Sequence, residues 1–237
     1  MNMVLLREED FVHGSRVVLV GRRFTHIAQV IRPEVGDTVT VGLLNAQLGE
    51  ARVLSLGESE VEMEVVFEAD PPPPLPVNLF MALPRPKSLF KILQLAATMG
   101  VKQIHLFNTS RVDKSFWQSR RLRQEAMEEH LVIGLEQAKD TVMPKVHLHR
   151  LFAPLINDEM PSIAAGKRRF LAHPCPEQAP CPHALNAPAD LAIGPERGLI
   201  DHEVRRFVES GFEVVGLNDR ILRVEQALPV MLAKMFD

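Results

Sequence analysis

The chain has 237 residues, 46% of them hydrophobic and 24% charged, with a formal net charge of −3. That is the composition of a folded globular protein, and it excludes a disordered tail, a collagen-like repeat or a coiled-coil rod. Two cysteines supply no disulfide framework, and no apolar run approaches the roughly 20 residues a membrane-spanning helix needs. The start, Met1 to Asp10, has no basic stretch ahead of its short apolar run, so no secretion signal is expected and the reducing cytoplasm is the expected compartment.

Residues 15–68 read as β-rich. Ser15 to Val20 and Asp37 to Val41 are β-branched runs, and Val53 to Phe67 alternates apolar and polar residues about a Gly57-Glu58-Ser59 turn. Arg23 to Arg32 breaks the trend, because Phe24, Ile27, Val30 and Ile31 fit one helical face. Residues 1–70 are therefore expected to form a small β-barrel with one helix. Pro71-Pro72-Pro73-Pro74-Leu75-Pro76 has no ladder donors and favours a stiff extended form, which makes 71–76 a linker.

From residue 77 to 237 the pattern changes. Strands are predicted at Val77 to Leu83, Gln103 to Phe107, Lys145 to His149, Arg169 to His173, Asp190 to Ile193 and Glu213 to Leu217. Helices are predicted over Ser88 to Met99, Ser119 to Lys139, Asp201 to Ser210 (with Asp201 as cap) and Glu225 to Phe236. Such alternation implies an α/β fold with a mostly parallel sheet covered by helices on both faces.

Charge is segregated along the chain. Arg16, Arg22, Arg23 and Arg32 come early; Arg111, Lys114, Arg120, Arg121 and Arg123 lie mid-chain; Lys167, Arg168 and Arg169 follow. Local basic patches permit an RNA partner despite the slightly acidic whole, because a patch sets the local field.

Ligands of open α/β sheets gather at the carboxyl ends of strands. Two such ends carry unusual residues: Ile193-Gly194-Pro195-Glu196-Arg197-Gly198, and Leu217-Asn218-Asp219-Arg220-Ile221-Leu222-Arg223-Val224-Glu225-Gln226-Ala227. The first is a tight loop whose amides can approach a ligand closely; the second packs charge between a strand and an apolar helix. The nucleotide motifs G-x-G-x-x-G and Walker A are missing. His173-Pro174-Cys175 and Cys181-Pro182-His183 resemble a ligand set for zinc, but their one-residue gaps are atypical and no metal site is predicted.

Those two loops resemble the signature loops of the bacterial 16S ribosomal RNA uracil-N3 methyltransferases of the SPOUT superfamily. Gly194, Pro195, Glu196 and Gly198 match the first loop, and Leu217, Arg220, Ile221, Leu222, Arg223, Glu225 and Ala227 the second. His26 to Arg32 with Gly36-Asp37, Leu83 to Lys87, and Leu135 to Ala138 resemble further family segments, so nearly the whole chain is covered. The resemblance implies an RNA-binding PUA-like β-barrel followed by a SPOUT domain with a deep trefoil knot, bound S-adenosylmethionine, a small-subunit ribosomal RNA substrate and a homodimer, with no membrane association. The apolar C-terminal helix (Leu228, Val230, Met231, Leu232, Met235, Phe236) is a candidate for part of the dimer interface, or else packs on its own sheet.

The implied site follows residue by residue. Cofactor contacts fall to His173, Pro174, Gly194, Pro195, Glu196, Gly198, Leu217, Asn218, Ile221 and Leu222; catalysis falls to Arg223 and Glu225; RNA contacts fall to Arg22, Arg23, His26, Arg32, Arg111 and Lys114. A structural Arg220–Glu225 ion pair is the competing use of that acid. Several positions depart from the family pattern: Arg197 and Asn218 stand where glycine is usual, Gln226 where threonine is, and Thr98-Met99 where Glu-Leu is common in the first helix. An arginine at a position needing φ > 0 would be strained or would occlude the pocket. The alternative reading that follows is an RNA-binding relative with a changed target or weakened catalysis.

Overall fold

A computed structural model of the protein describes residues 3–163, 166–175, 178–217 and 220–236. The chain divides into two units: one runs up to Pro73 and includes Val132–Met143, and the other comprises Pro74–Leu131 and the residues from Pro144 onward.

The N-terminal unit is a six-stranded sheet. Its strands are β1 (Val4–Leu6), β2 (Phe11–His13), β3 (Arg16–Val20), β4 (Thr38–Leu43), β5 (Leu48–Leu56) and β6 (Glu60–Ala69), in the order β1-β4-β5-β6-β3-β2. Only the β1–β4 pair is parallel. Alternate residues (Val39 and Val41, Ala51 and Val53, Val61, Met63 and Val65) face one apolar core with Val4, Leu6, Val17, Leu19 and Ile27. The two short strands β1 and β2 were not among the predicted elements, since three residues carry no readable alternation.

The predicted helix over Arg23 to Arg32 is two pieces. Helix α1 (Gly21–His26) runs into a π-helical turn, Ile27–Ile31, closed by Arg32 in the left-handed region at φ 55°. The wider turn moves the apolar side chains off a common stripe. Ile27 is buried, while Val30 and Ile31 are exposed. Residues 132–143 join this unit through specific bonds: Leu5 N donates to Glu136 Oε1 (3.2 Å), and Asn45 N donates to Thr141 O (2.8 Å).

The larger unit holds seven parallel strands. They are β7 (Val77–Ala82), β8 (Gln103–Phe107), β9 (Lys145–His149), β10 (Arg168–Ala172), β11 (Ala179–Pro180), β12 (Ala189–Ile193) and β13 (Glu213–Gly216), ordered β11-β13-β10-β12-β7-β8-β9. The central strands β7 and β12 are buried along their whole length, as befits a sheet covered on both faces. Helix α2 (Pro86–Thr98) starts with proline at its first position and turns Leu89, Ile92, Leu93, Ala96 and Ala97 inward. Helix α3 (Gln124–Ala138) begins later than predicted, because Arg120–Leu122 forms a separate 3₁₀ turn. A helical stretch at 152–163, absent from the prediction, comprises α4 (Phe152–Pro154), a π-helical turn (Leu155–Glu159) and α5 (Met160–Ile163). Helices α6 (Asp201–Glu209) and α7 (Val224–Phe236) complete the unit.

Asp201 is the first residue of α6 rather than its cap. The capping acid is Glu203, whose Oε2 accepts Ile200 N at 3.0 Å.

Candidate active site

The carboxyl ends of β10, β12 and β13 open into a cavity of about 520 Å³. Its place follows from topology. Strand order reverses between β7 and β12, and ligands of such sheets bind at that reversal.

The turn after β12 forms the first wall. Gly198 N donates to Pro195 O at 2.7 Å, so Glu196 and Arg197 are the central residues of a β-turn. The left-handed conformation falls on Gly198 (φ 72°) and not on Arg197. Arginine at 197 is therefore unstrained, and its exposed side chain is not part of the cavity lining. The expected occlusion does not arise. Gly194 is more demanding, since a Cβ there would lie 3.0 Å from Leu199 Cγ.

Three neighbours hold this turn. Glu196 Oε1 accepts Arg85 N at 3.0 Å, and Arg111 Nη1 donates to Arg197 O at 2.6 Å. Glu203 is buried at the start of α6; besides Ile200 N it accepts Ser110 N at 2.6 Å. One carboxylate thus ties the loop after β8 to the loop that carries the turn.

The segment after β13 and the start of α7 form the second wall. Gln226 Oε1 accepts Arg223 N at 3.3 Å, and Arg223 O accepts the amides of Gln226 and Ala227. Gln226 caps α7 from outside the cavity, so its departure from threonine does not alter the lining. Glu225 and Arg220 both line the cavity. At Gly216 an added Cβ would fall 2.0 Å from Gln178 Oε1, so only glycine lets the Gln178 amide lie there. That Oε1 is buried without a hydrogen-bond partner.

His173 and Pro174 close the third side. His173 N donates to Val215 O at 3.2 Å. Burial lowers the pKa of its ring, with Arg111 adding to the shift and Asp201 opposing it.

The cavity is lined by His173, Pro174, Gly194, Pro195, Glu196, Gly198, Leu217, Ile221, Leu222, Arg223 and Glu225. Asn218 lies outside the described residues. Arg85, Ser88 and Gln178 also line it and were not predicted. The family resemblance of Leu83 to Lys87 covers Arg85, whereas the proline-rich stretch around Gln178 carries no such signal.

The predicted RNA contacts divide. In the N-terminal unit, Arg23 donates to Asp10 Oδ1 (2.6 Å) and Leu5 O (3.1 Å), and Arg22 Nη1 donates to Glu136 Oε2 (3.0 Å). Both guanidiniums are paired with acids buried by the fold, Arg23 as a half-buried side chain and Arg22 as an exposed one. His26 is half-buried in α1, and Arg32 is exposed, with Nε donating to Gln29 O at 2.7 Å. In the larger unit Arg111 grips the cavity turn, while Lys114 is exposed. Among the described residues no group of three or more His, Cys, Asp or Glu is placed to hold a metal ion, and no helix is long and apolar enough to cross a membrane.

A parallel α/β sheet with a loop-built cavity at its reversal point is the architecture of a small-molecule-binding α/β domain. Residues 71–236 match the family described as RNA methyltransferase domain. The chain is 30% identical to the ribosomal RNA small subunit methyltransferase E of Treponema pallidum, over 96% of its own length and 87% of that protein's. It belongs to this RNA methyltransferase family. Its fold is shared with a methyltransferase from Legionella pneumophila solved with its cofactor SAM (TM-score 0.76, 20% identity, 98% of this chain and 95% of that one). It is likewise shared with the ribosomal RNA small subunit methyltransferase E of Neisseria gonorrhoeae bound to S-adenosyl methionine (TM-score 0.74, 20% identity, the same coverages).

Proposed function

We propose that the protein methylates N3 of a uridine in 16S ribosomal RNA, using S-adenosylmethionine, in the cytoplasm and as a homodimer. The observation that carries this reading is a juxtaposition: two loops distant in sequence, at 194–198 and 217–225, wall one cavity.

The residues present fit that cofactor. The cavity volume of about 520 Å³ lies within the range of small-molecule sites. Gly194 lets Leu199 pack against the cavity turn and Gly216 leaves room for the Gln178 amide, whose unpartnered Oε1 is an acceptor suited to an amino or hydroxyl donor of the adenosyl group. The backbone of 193–198 and the side chains of Leu217 and Leu222 would hold it. When bound, it supplies an electrophilic methyl group on a positively charged sulfur.

The protein's own groups supply the rest. Uracil N3 carries a proton that must leave, and the Glu225 carboxylate is the group assigned to accept it. The Arg223 guanidinium stabilises negative charge as it develops on the uracil ring. The apolar walls from Ile193, Leu217 and Met231 keep water from the reacting atoms.

The finer parts of the proposal concern architecture. The larger unit is read as a SPOUT domain with a deep trefoil knot, and the six-stranded unit as a PUA-like barrel that presents Arg32 to RNA. Dimerisation is supported by Ile221, which lines the cavity yet is 83% exposed, an apolar side chain for a sister subunit to cover. The C-terminal helix contributes less than its sequence suggests. Leu228, Met231, Leu232 and Met235 are buried within the chain, which leaves Val230 on the surface.

A non-catalytic RNA-binding relative would need a blocked cavity, and Arg197 does not block it. The deciding measurement is mass spectrometry of small-subunit ribosomal RNA from cells with and without the gene. Loss of 3-methyluridine from one position is expected. Identical ribosomal RNA in the two strains would overturn the reading.

A further inference from the structure

We propose that Arg197 is an RNA contact: its guanidinium binds a backbone phosphate beside the target base at the mouth of the cavity. The proposal rests on the ribosomal RNA reading above and adds a recognition residue to it.

The first observation is position. Glu196 and Gly198 both line the cavity, and Arg197 sits between them with its side chain exposed. A base entering the cavity leaves its flanking phosphates outside, at the level of this turn. The second is availability. Among the described residues the Arg197 guanidinium makes no ion pair, and the nearby Asp113 carboxylate, which feels its charge, is occupied chiefly by Ser115.

The third is local charge. Arg111 bonds to the Arg197 carbonyl through its guanidinium, which places a second positive charge at this turn, and Arg85 lines the same cavity. Glu196 and Glu203 accept backbone amides and keep their charge, and Glu225 lies in the cavity lining, so the attraction for an anion is local to the exposed Arg197 side chain on the outside of the turn. The fourth is rigidity. The turn is closed by the Gly198–Pro195 bond and gripped by Arg111, so the root of the side chain is fixed before RNA arrives and less entropy is lost on binding. A guanidinium fork matches two phosphate oxygens at once.

The test compares wild type, Arg197→Ala and Arg197→Lys. Binding to purified small ribosomal subunits is titrated across salt concentrations, and S-adenosylhomocysteine binding is measured by calorimetry on the same preparations. Arg197→Ala should bind subunits about three- to fivefold more weakly near 0.1 M salt, as suits one exposed charge contact. Its slope of log affinity against log salt should be shallower by about 0.7, the value for one phosphate contact on single-stranded RNA. Arg197→Lys should keep the slope and lose part of the affinity, and S-adenosylhomocysteine affinity should be the same in all three. An unchanged affinity and slope in Arg197→Ala overturns the proposal. So does an equal loss of S-adenosylhomocysteine binding, which would make Arg197 a part of the cofactor loop. Failure of the wild type to bind subunits would remove the ribosomal RNA reading and this proposal with it, and that result is distinct from the other two.

Discussion

In the N-terminal unit, Arg22 and Arg23 face acids that the fold has taken out of water, with the side chains of Glu136 and Asp10 only 1% and 6% exposed. Around the cavity, Arg111 gives its guanidinium to a backbone carbonyl and Arg197 and Arg223 are exposed. Residue type is the same in the two regions, and the difference lies in what each guanidinium finds nearby. An arginine beside a buried carboxylate neutralises it and cannot be withdrawn cheaply. An arginine on a tight turn shapes the loop or waits for a ligand. Runs of basic residues therefore do not announce an RNA surface until the fold shows which of them have internal partners.

The sharpest break in this comparison comes from Arg223→Ala. Methyl transfer should fall about 10²–10³-fold, the usual cost of removing a group that stabilises developing negative charge, with S-adenosylhomocysteine affinity nearly unchanged. Single-turnover kinetics beside calorimetry would tell, and equal losses would strip Arg223 of its catalytic role. Arg23→Ala belongs to the other class. It leaves Asp10 buried and unpaired, so urea denaturation should show a loss of about 3 kcal/mol while the salt dependence of RNA binding stays put. A changed salt slope with unaltered stability would return Arg23 to the RNA surface.

Arg111→Ala should be milder, because the turn keeps its other two supports. Loss of one charge-assisted bond of about 1.5 kcal/mol predicts roughly tenfold weaker S-adenosylhomocysteine binding with the urea midpoint little moved. The smallest effect is one of pH and touches neither set of arginines. His105 stacks between Phe80 and His147, and burial, followed by the charges of His147 and His149, lowers its pKa from 6.5 to about 3. A folded pKa below the unfolded value gives stability that is present above pH 6.5 and lost as pH falls toward 3. Asp190 works against this. Burial raises its pKa from 3.8 to about 6, so its contribution is present below pH 3.8 and lost as pH rises through 6. On acidification from pH 7 to pH 4 the melting temperature of His105→Phe should rise relative to wild type and that of Asp190→Asn should fall relative to it; parallel curves for all three proteins would contradict both assignments.

Much of the larger unit was legible. The strands Gln103–Phe107 and Lys145–His149 have the predicted bounds, because polar and apolar residues alternate from Gln103 to Leu106 and from Lys145 to His149, a period of two that a helix does not share. The cavity loops were legible through glycine, which permits conformations other residues avoid, and proline, which fixes φ. What escaped depends on distant partners. The counter-charge of Arg22 lies 114 residues away, and no local pattern connects them. Gln178 reaches the cavity only because Gly216, on another strand, leaves room for its amide. Strands of three residues and π-helical turns are likewise too brief, or too irregular, for a periodicity to reveal.

Helix α3 carries a practical consequence. Its first half is counted with one unit and its second half, from Val132, with the other. The prolines at 71–76 invite cutting the gene there, yet a fragment ending at Pro73 would lose the Glu136 carboxylate that meets Leu5 N and Arg22, and the Thr141 carbonyl that meets Asn45 N. Any swap, fusion or evolutionary exchange of the front half must carry a dozen residues from the middle of the back half with it.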